Sequence, residues 1–141
     1  SKERIRLDTF IDGLLPALES ISGHRRIERL YHKEPVWVDA NRILLESLLN
    51  NLIVNAVRHS NADGTITISI GESSMSICNT SDEPALQTEH IFNRFYRTTQ
   101  NKGGNGLGLA IVKAICDYHG WSIGYRFKEG KHCFIIKMTG Q

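Results

Sequence analysis

The chain has 141 residues, of which 40% are hydrophobic and 23% charged, enough apolar surface for one folded domain and no signature of disorder. Its 17 basic and 15 acidic side chains leave a formal charge of +2, too small an excess to drive nucleic-acid binding by counterion release. The apolar runs are far shorter than the ~18 residues that span a bilayer. We therefore expect a single domain over residues 1–141 with no nucleic-acid or membrane contact of its own.

The cysteines are odd in number and far apart, and none belongs to a C-x-x-C pair. Cys78, Cys116 and Cys133 each lie in an apolar stretch, where cysteine acts as a small core residue. They predict a reduced, cytosolic compartment and three buried thiols.

The first elements are a short strand and a helix. Residues 4–7 are predicted as the strand, and Asp8 and Thr9 as caps of the helix that follows. Pro16 is an obstacle within that helix, where it can produce a kink.

Two short strands and a long helix come next. Residues 25–32 and 35–38 are predicted to form a strand pair on which Trp37 packs. Asp39 is predicted to cap a helix over residues 41–59.

A hairpin and a long irregular segment follow the helix. Residues 65–70 alternate between apolar and polar, and residues 75–78 follow a turn, which predicts a hairpin with one buried face. From residue 79 to 104 the periodicity fails except near residues 89–96. A loop of this length within a compact domain is usually functional.

The chain closes with a helix and a second hairpin. The helix is predicted over residues 106–119, and the hairpin over 121–127 and 132–138. Its predicted apolar side consists of Leu107, Ala110, Ile111, Ala114, Ile115 and Tyr118. Hairpins that alternate with helices favour a two-layer α/β sandwich, with a mixed, mainly antiparallel sheet and helices on one face.

Asparagines mark the polar face of the first long helix. Asn51 and Asn55 are one turn apart, with Arg58 and His59 beside them. Solvated helix faces are usually made of Lys and Glu, whereas interior Asn lowers helix propensity. The amide oxygen of Asn is a hard, neutral ligand suited to Mg²⁺. A solvated face is the alternative interpretation.

Four glycines precede the second long helix, at positions 103, 104, 106 and 108. Glycine allows backbone to approach a ligand closely, and the amides at a helix N-terminus attract anions. A triphosphate is the expected ligand, and a flexible hinge is the alternative. No G-K-[ST] sequence follows, so the loop is not a P-loop.

Three motifs occur in a fixed order: NLIVNAVRH at residues 51–59, IFNRFYR at 91–97 and GNGLGLAIV at 104–112. They resemble the N box, F box and second glycine box of the catalytic domain of sensor histidine kinases. That domain belongs to an ATPase superfamily that includes gyrase B, MutL and an ATP-dependent chaperone. The resemblance covers nearly the whole chain and implies the Bergerat ATP-binding fold with bound ATP and Mg²⁺.

The resemblance also implies roles for individual residues. Asn55 would coordinate Mg²⁺ with Asn51 beside it, and Arg58 and Arg97 would contact phosphate. His59 would occupy the place of an aromatic ring near the nucleotide. Phe92 and Phe95 would anchor a lid over residues 98–104. The residues expected to contact the nucleotide are Asn55, His59, Asn79, Gly104, Gly106, Leu107, Gly108 and Leu109, and those expected to act in catalysis are Asn51, Arg58 and Arg97.

The chain departs from the family at the adenine contact. The family usually has Asp-x-Gly-x-Gly after the strand at residues 75–78, and this chain has NTSDEP at 79–84. Asn79 takes the position of the Asp, and its side-chain oxygen can accept a hydrogen bond from the exocyclic amine. It lacks the charge that strengthens such a bond, so we expect modest affinity. Asp82 is a second candidate.

Residue 51 bears on the reaction type. In the gyrase-like branch a Glu four residues before the metal-binding Asn activates water, but here that position is Asn51, and an amide is no general base. The resemblance therefore favours phosphotransfer to a protein histidine over ATP hydrolysis. A gyrase- or chaperone-type hydrolase and a regulatory nucleotide-binding module without phosphotransfer stay open as alternatives.

None of the six histidines lies in a motif similar to His-Glu-Leu-Arg-x-Pro, which carries the phosphoacceptor in these kinases. The resemblance implies that the phosphoacceptor is on a separate dimerisation domain. We expect this fragment to be monomeric, and the whole protein to be a membrane-anchored homodimer with this domain in the cytoplasm. A response regulator would be its indirect partner.

Overall fold

The structure, a computed structural model, describes residues 1–93 and 107–138. The elements are, in chain order, β1 (Glu3–Arg6), α1 (Leu7–Ser22), β2 (Arg26–Tyr31), β3 (Trp37–Ala40), α2 (Arg42–His59), β4 (Thr65–Ile70), β5 (Ser74–Thr80), α3 (Gly108–His119), β6 (Ser122–Lys128) and β7 (Lys131–Lys137). No helix within these two ranges is long and apolar enough to cross a membrane.

The main sheet has five strands in the order β2-β4-β5-β7-β6. The pair β2 and β4 is parallel, and the other three pairs are antiparallel. Strands β1 and β3 form a separate antiparallel pair. The predicted mixed, mainly antiparallel sheet is therefore confirmed.

The sheet has one buried and one open face. Along β4, Ile66, Ile68 and Ile70 are buried, whereas the Thr and Ser residues between them are partly exposed. Strands β5 and β7 alternate in the same way, and the helices contact the buried face. Alternation with period two thus produces a two-layer sandwich with helices on one face, as predicted.

Helix α2 is the central element of the helical layer. Asn41 caps its N-terminus, because the Asn41 side-chain oxygen accepts a hydrogen bond from the backbone N–H of Leu44 at 2.9 Å. The predicted cap, Asp39, is wrong: it lies in β3 and pairs with Arg4 on β1 at 3.3 Å. The apolar residues of α2 that are buried are Leu45, Leu48, Leu49, Leu52, Ile53 and Ala56.

Helix α1 differs from the prediction at its start. It begins at Leu7 after Arg6, and no side chain caps it, so Asp8 and Thr9 are not caps. The Asp8 carboxylate instead binds the guanidinium of Arg6 at 2.6 and 3.0 Å, and this partner lowers the pKa of Asp8. The helix continues through Pro16, which lies on its exposed side.

The predicted pairing of residues 25–32 with 35–38 is wrong. Strand β2 joins β4 in parallel, and β3 joins β1, because each finds its partner in a distant part of the chain. Trp37 is 47% exposed and does not pack in the core. Its neighbours Val36 and Val38 are buried instead.

Helix α3 buries a different face from the predicted one. Its buried residues are Val112, Ile115, Cys116 and His119. Ile111 and Tyr118, both predicted as apolar core, are 40% and 51% exposed. Two neighbouring apolar stripes run along this helix with the same spacing, and packing against α2 and Trp121 buries one of them. Of the predicted stripe, only Ile115 is buried.

The segment after β5 is irregular as far as it is described. Strand β5 extends to Thr80, so that Asn79 lies within the strand and not after it. Residues 91–93 form a turn that is closed by a hydrogen bond from the N–H of Asn93 to the carbonyl of His90 at 2.9 Å. The predictions for Phe95, Arg97, the lid, Gly104 and Gly106 lie outside the described residues.

The prediction of three buried thiols is wrong for two cysteines. Cys78 on β5 and Cys133 on β7 are direct cross-strand neighbours and form a disulfide on the open face of the sheet. The sequence did not indicate the pairing, because 55 positions separate the two residues. Cys116 is buried as a free thiol, and burial raises its pKa to about 12.

The disulfide should contribute measurably to stability, because it closes a long loop in the unfolded chain. We expect the double variant Cys78→Ser/Cys133→Ser to lose about 2–4 kcal/mol of unfolding free energy relative to the oxidised protein. Urea unfolding with and without dithiothreitol measures this loss. The control Cys116→Ala keeps the dithiothreitol effect, and an unfolding midpoint of the wild-type protein that dithiothreitol leaves unchanged would contradict the disulfide.

Candidate functional site

Helices α2 and α3 pack against each other in antiparallel orientation. At one end, His119 near the C-terminus of α3 accepts a hydrogen bond at Nε2 from the backbone N–H of Asn41 at 3.1 Å. Its Nδ1 donates to the carbonyl of Ile115 at 2.7 Å, and its ring stacks on Trp121 at 4.3 Å. Burial lowers the pKa of His119, which favours the neutral ring that these bonds require. The contact fixes the position of α3 along α2.

At the other end, the N-terminus of α3 lies against Asn51. A Cβ atom at Gly108 would come within 3.3 Å of Asn51 Oδ1, so glycine permits the close approach. The amide nitrogen of Asn51 donates to the carbonyl of Ser47 at 2.8 Å, which directs the oxygen towards Gly108. Among the described residues no side chain caps α3, and the backbone N–H groups at a helix N-terminus attract anions.

Asn55 lies one turn further along α2 and is only 4% exposed. Its Nδ2 atom is buried and has no hydrogen-bond partner among residues 1–93 and 107–138. A buried amide without a partner costs about 1–3 kcal/mol, so a bound polar group would relieve the cost. The alternative of a solvated helix face therefore fails for Asn55, and also for His59, which is 5% exposed.

His59 connects α2 to the segment that replaces Asp-x-Gly-x-Gly. Its Nδ1 lies 3.0 Å from a carboxylate oxygen of Glu83. The segment is also held by the N–H of Glu83, which donates to the Ser81 hydroxyl at 2.9 Å, and by the N–H of Ser81, which donates to the Gly130 carbonyl at 2.9 Å. Side-chain and backbone hydrogen bonds thus hold the conformation of this segment, which contains no glycine.

Asn79 and His132 form the polar end of the buried sheet face. They are direct cross-strand neighbours on β5 and β7, and they are 2% and 1% exposed. The His132 ring lies 5.9 Å from the His59 ring and 4.9 Å from the Phe127 ring. The polar groups of α2 and of the sheet therefore meet at this end of the sheet.

A tyrosine holds His132 from the adjacent edge strand. The hydroxyl of Tyr125 lies 2.6 Å from His132 Nδ1 and accepts a hydrogen bond from the N–H of Leu86 at 3.0 Å. Burial and the nearby His59 lower the pKa of His132, whereas Glu83 acts in the opposite direction. The neutral form of His132 is therefore favoured, and its Nε2 atom is buried without a hydrogen-bond partner among the described residues.

These groups extend from the helix layer to the sheet. Asn51 and His59 are separated by eight residues of helix, or about 12 Å. The N-terminus of α3 lies at one end, and the other end presents buried polar groups among aromatic rings. This arrangement fits an elongated ligand with an anionic end and a flat polar end, as a nucleotide has. Fold and site together define a nucleotide-binding α/β domain.

The structure places Asn51 against Gly108, Asn55 one turn further along α2, and His59 and Asn79 beside His132 at the other end. Leu107 and Leu109 lie at the start of α3 and are partly buried, and Arg58 is partly buried in the last turn of α2. Asp82 is exposed, and its N–H is bonded to the Asn61 side chain at 3.1 Å. Three residues of the site were missed from the sequence: Glu83, Tyr125 and His132.

Comparison with known proteins agrees with this class. Residues 40–139 match the model of the histidine kinase-, DNA gyrase B- and HSP90-like ATPases, so the chain belongs to that family. The family assigns ATP binding to the domain.

Two curated relatives are named as sensor histidine kinases. The chain is 31% identical over 93% of its length to sensor histidine kinase TrcS of Mycobacterium tuberculosis, and 31% identical over 96% to sensor histidine kinase HprS of Escherichia coli. It spans 28% and 31% of these two proteins, so it corresponds to under a third of each.

Solved structures share the fold. The mycobacterial sensor histidine kinase MprB superposes with a TM-score of 0.80 at 22% identity, covering 96% of this chain and 95% of the other. The catalytic domain of histidine kinase ThkA superposes with a TM-score of 0.79 at 25% identity, covering 96% and 93%. The fold of this chain is therefore that of a histidine kinase catalytic domain.

Proposed function

We propose that this domain binds Mg·ATP and donates the γ-phosphoryl group to a histidine on a helical dimerisation domain, as the catalytic part of a sensor kinase. The observation that supports it most strongly is the Asn51–Gly108 contact at the start of α3, with the buried Asn55 Nδ2 atom, which has no hydrogen-bond partner in the described part of the chain, one turn away. A bound phosphate oxygen that accepts a hydrogen bond from this nitrogen would offset the cost of burying it.

The phosphates and Mg²⁺ would bind at the N-terminus of α3. The amide oxygen of Asn55 would coordinate Mg²⁺, with Asn51 beside it, since Mg²⁺ takes one or two protein oxygens and completes its shell with phosphate and water. Backbone N–H groups that begin at Gly108 would bind phosphate oxygens. The cationic side chain of Arg58 lies in the last turn of α2, on the same helix. Arg97, Gly104 and Gly106 complete this proposal from the sequence motifs.

The base would bind at the end of the sheet, where Asn79, His59 and the aromatic rings of β6 and β7 converge. Leu107 and Leu109 flank the glycine at the start of α3 and would line the path between the two ends. Phe92 packs edge-on against Phe134 at 6.2 Å, which anchors the chain that leads into the proposed lid.

Phosphotransfer accounts for residue 51 better than hydrolysis does. A hydrolase needs a general base to activate water, and the Asn51 amide, already donating to Ser47, cannot accept a proton at neutral pH. Catalysis would then depend on positioning and on charge neutralisation by Mg²⁺ and cations. The proposal requires a protein nucleophile outside this domain.

The exposed stripe of α3 would receive that nucleophile's domain. Leu107, Ala110, Ile111 and Ala114 line a shallow apolar surface next to the proposed phosphate site. An apolar helix surface of this kind fits the side of another helix. We propose that the dimerisation helices of the same protein dock there, within a homodimer that is anchored in the membrane and passes the phosphoryl group to a response regulator.

Removing the Asn55 amide should remove the Mg²⁺-dependent part of nucleotide binding. For Asn55→Ala we expect ADP affinity in Mg²⁺ to fall roughly 10- to 100-fold, because a metal ligand in a buried site is lost. Calorimetric titration with Mg²⁺ and with EDTA measures the change, and circular dichroism checks the fold. The neighbouring Asn50→Ala serves as control and should bind as the wild type does. Equal binding by both variants would contradict the proposed metal role.

Disrupting the α3 stripe should impair phosphotransfer without affecting nucleotide binding. In the whole kinase we expect Ile111→Ser to slow autophosphorylation about tenfold, because the domains dock less well, while ADP affinity stays within about twofold. The control is Leu30→Ser, at the opposite edge of the sheet on β2 and 64% exposed. Equal autophosphorylation rates in the two variants would place the docking surface elsewhere.

A further inference from the structure

We propose that His132 reads the nucleobase directly, by donating a hydrogen bond from Nε2 to the N1 atom of adenine beside the Asn79 contact. The inference rests on the proposed function, because it concerns the base of the same nucleotide. It assigns a specificity-determining role to a residue of β7 that lies in none of the three sequence motifs.

The first step is the position of the proton on the His132 ring. Leu86 donates its N–H to the hydroxyl of Tyr125, so the hydroxyl's own proton is available for His132 Nδ1, 2.6 Å away. A neutral imidazole that accepts at Nδ1 carries its proton on Nε2. Tyr125 therefore makes Nε2–H a hydrogen-bond donor, and this atom is buried without a partner.

The second step is the orientation of the Asn79 amide. Its Nδ2 donates to the backbone carbonyl of Thr80 at 3.2 Å. This bond uses one of the two Nδ2 protons and sets the orientation of the amide, which leaves Oδ1 as the half that can accept from a ligand.

The third step is the pairing of these two groups. Asn79 and His132 face each other directly across β5 and β7, and both side chains lie on the buried, helix-covered face. They present an acceptor beside a donor. The edge of adenine presents the complement, a donor at the 6-amino group beside an acceptor at N1. Guanine presents the reverse, an acceptor at O6 beside a donor at N1. The pair thus selects adenine and rejects guanine.

The surroundings of His132 support a binding role over a packing role. An apolar residue would fill this buried position without leaving a polar atom unpaired, whereas His132 is held by Tyr125 on one side and left unpaired on the other. The His59 ring, 5.9 Å away, and the Phe127 ring, 4.9 Å away, provide flat surfaces near the proposed base.

Nucleotides altered at single ring atoms test the inference with the unmodified protein. We expect 1-deaza-ADP, which lacks the N1 acceptor, to bind about tenfold more weakly than ADP in calorimetric titration, since it leaves a buried donor unpaired. The control 7-deaza-ADP, which keeps N1, should bind within about twofold of ADP. GDP should bind more weakly than 1-deaza-ADP, because both of its groups are mismatched.

Variants assign the effect to this residue. His132→Leu lacks the donor and should bind ADP and 1-deaza-ADP equally, whereas His132→Gln keeps a donor and should still prefer ADP. Tyr125→Phe should reduce the preference, because Nδ1 loses its partner and the ring is no longer held in one tautomer. Nitrogen chemical shifts of His132 in the wild-type protein should show the proton on Nε2.

The outcomes distinguish failure of the role proposed for His132 from failure of nucleotide binding itself. Equal binding of ADP and 1-deaza-ADP by the wild-type protein would overturn the role of His132 and leave the proposed nucleotide binding intact. A proton found on Nδ1 of His132 would have the same consequence. Failure of ADP and both analogues to bind overturns the proposed function and this inference together.

Discussion

The contact between α2 and α3 sets the helical part of the candidate site. His119 binds the N-cap residue of α2 at one end, and Gly108 lies against Asn51 at the other, so the start of α3 is held beside the asparagines. Because α2 also packs on the sheet, the polar residues of the same helix lie close to β5 and β7. A shift of α3 along α2 by one turn, about 5.4 Å, would separate the uncapped helix N-terminus from Asn51.

The site is built from polar groups buried within an otherwise apolar core. Asn55, His59, Asn79 and His132 are each at most 5% exposed, and two of them leave an atom without a partner. Burying such groups lowers stability, and the surrounding leucines and isoleucines offset the loss. The disulfide between Cys78 and Cys133 joins β5 to β7 directly beside Asn79 and His132, and so fixes the two strands that present these residues.

Local patterns in the sequence predict much of the fold. Alternation along β4 and the periodicity of α2 indicate their structure and their buried faces, and the asparagine and glycine motifs indicate one end of the site. Contacts between distant segments were not predictable in this way. The parallel pairing of β2 with β4 and the disulfide depend on strand order, and the buried face of α3 depends on which of two equal apolar stripes meets α2. His132, Tyr125 and Glu83 belong to no motif; strand pairing brings His132 and Tyr125 to the site, and contacts with His59 and Ser81 place Glu83 there.

The central claim is that one nucleotide lies along α2 with its metal near Asn55 and its base near Asn79 and His132. Paramagnetic Mn²⁺ in place of Mg²⁺, added with ADP to the ¹⁵N-labelled domain, locates the metal by broadening nearby amide signals. The account predicts the strongest broadening at Asn51, Asn55 and Gly108, with signals of Asn79 and His132 shifted by ADP but broadened less. Broadening strongest at Asn79 and His132, or none along α2, would contradict it.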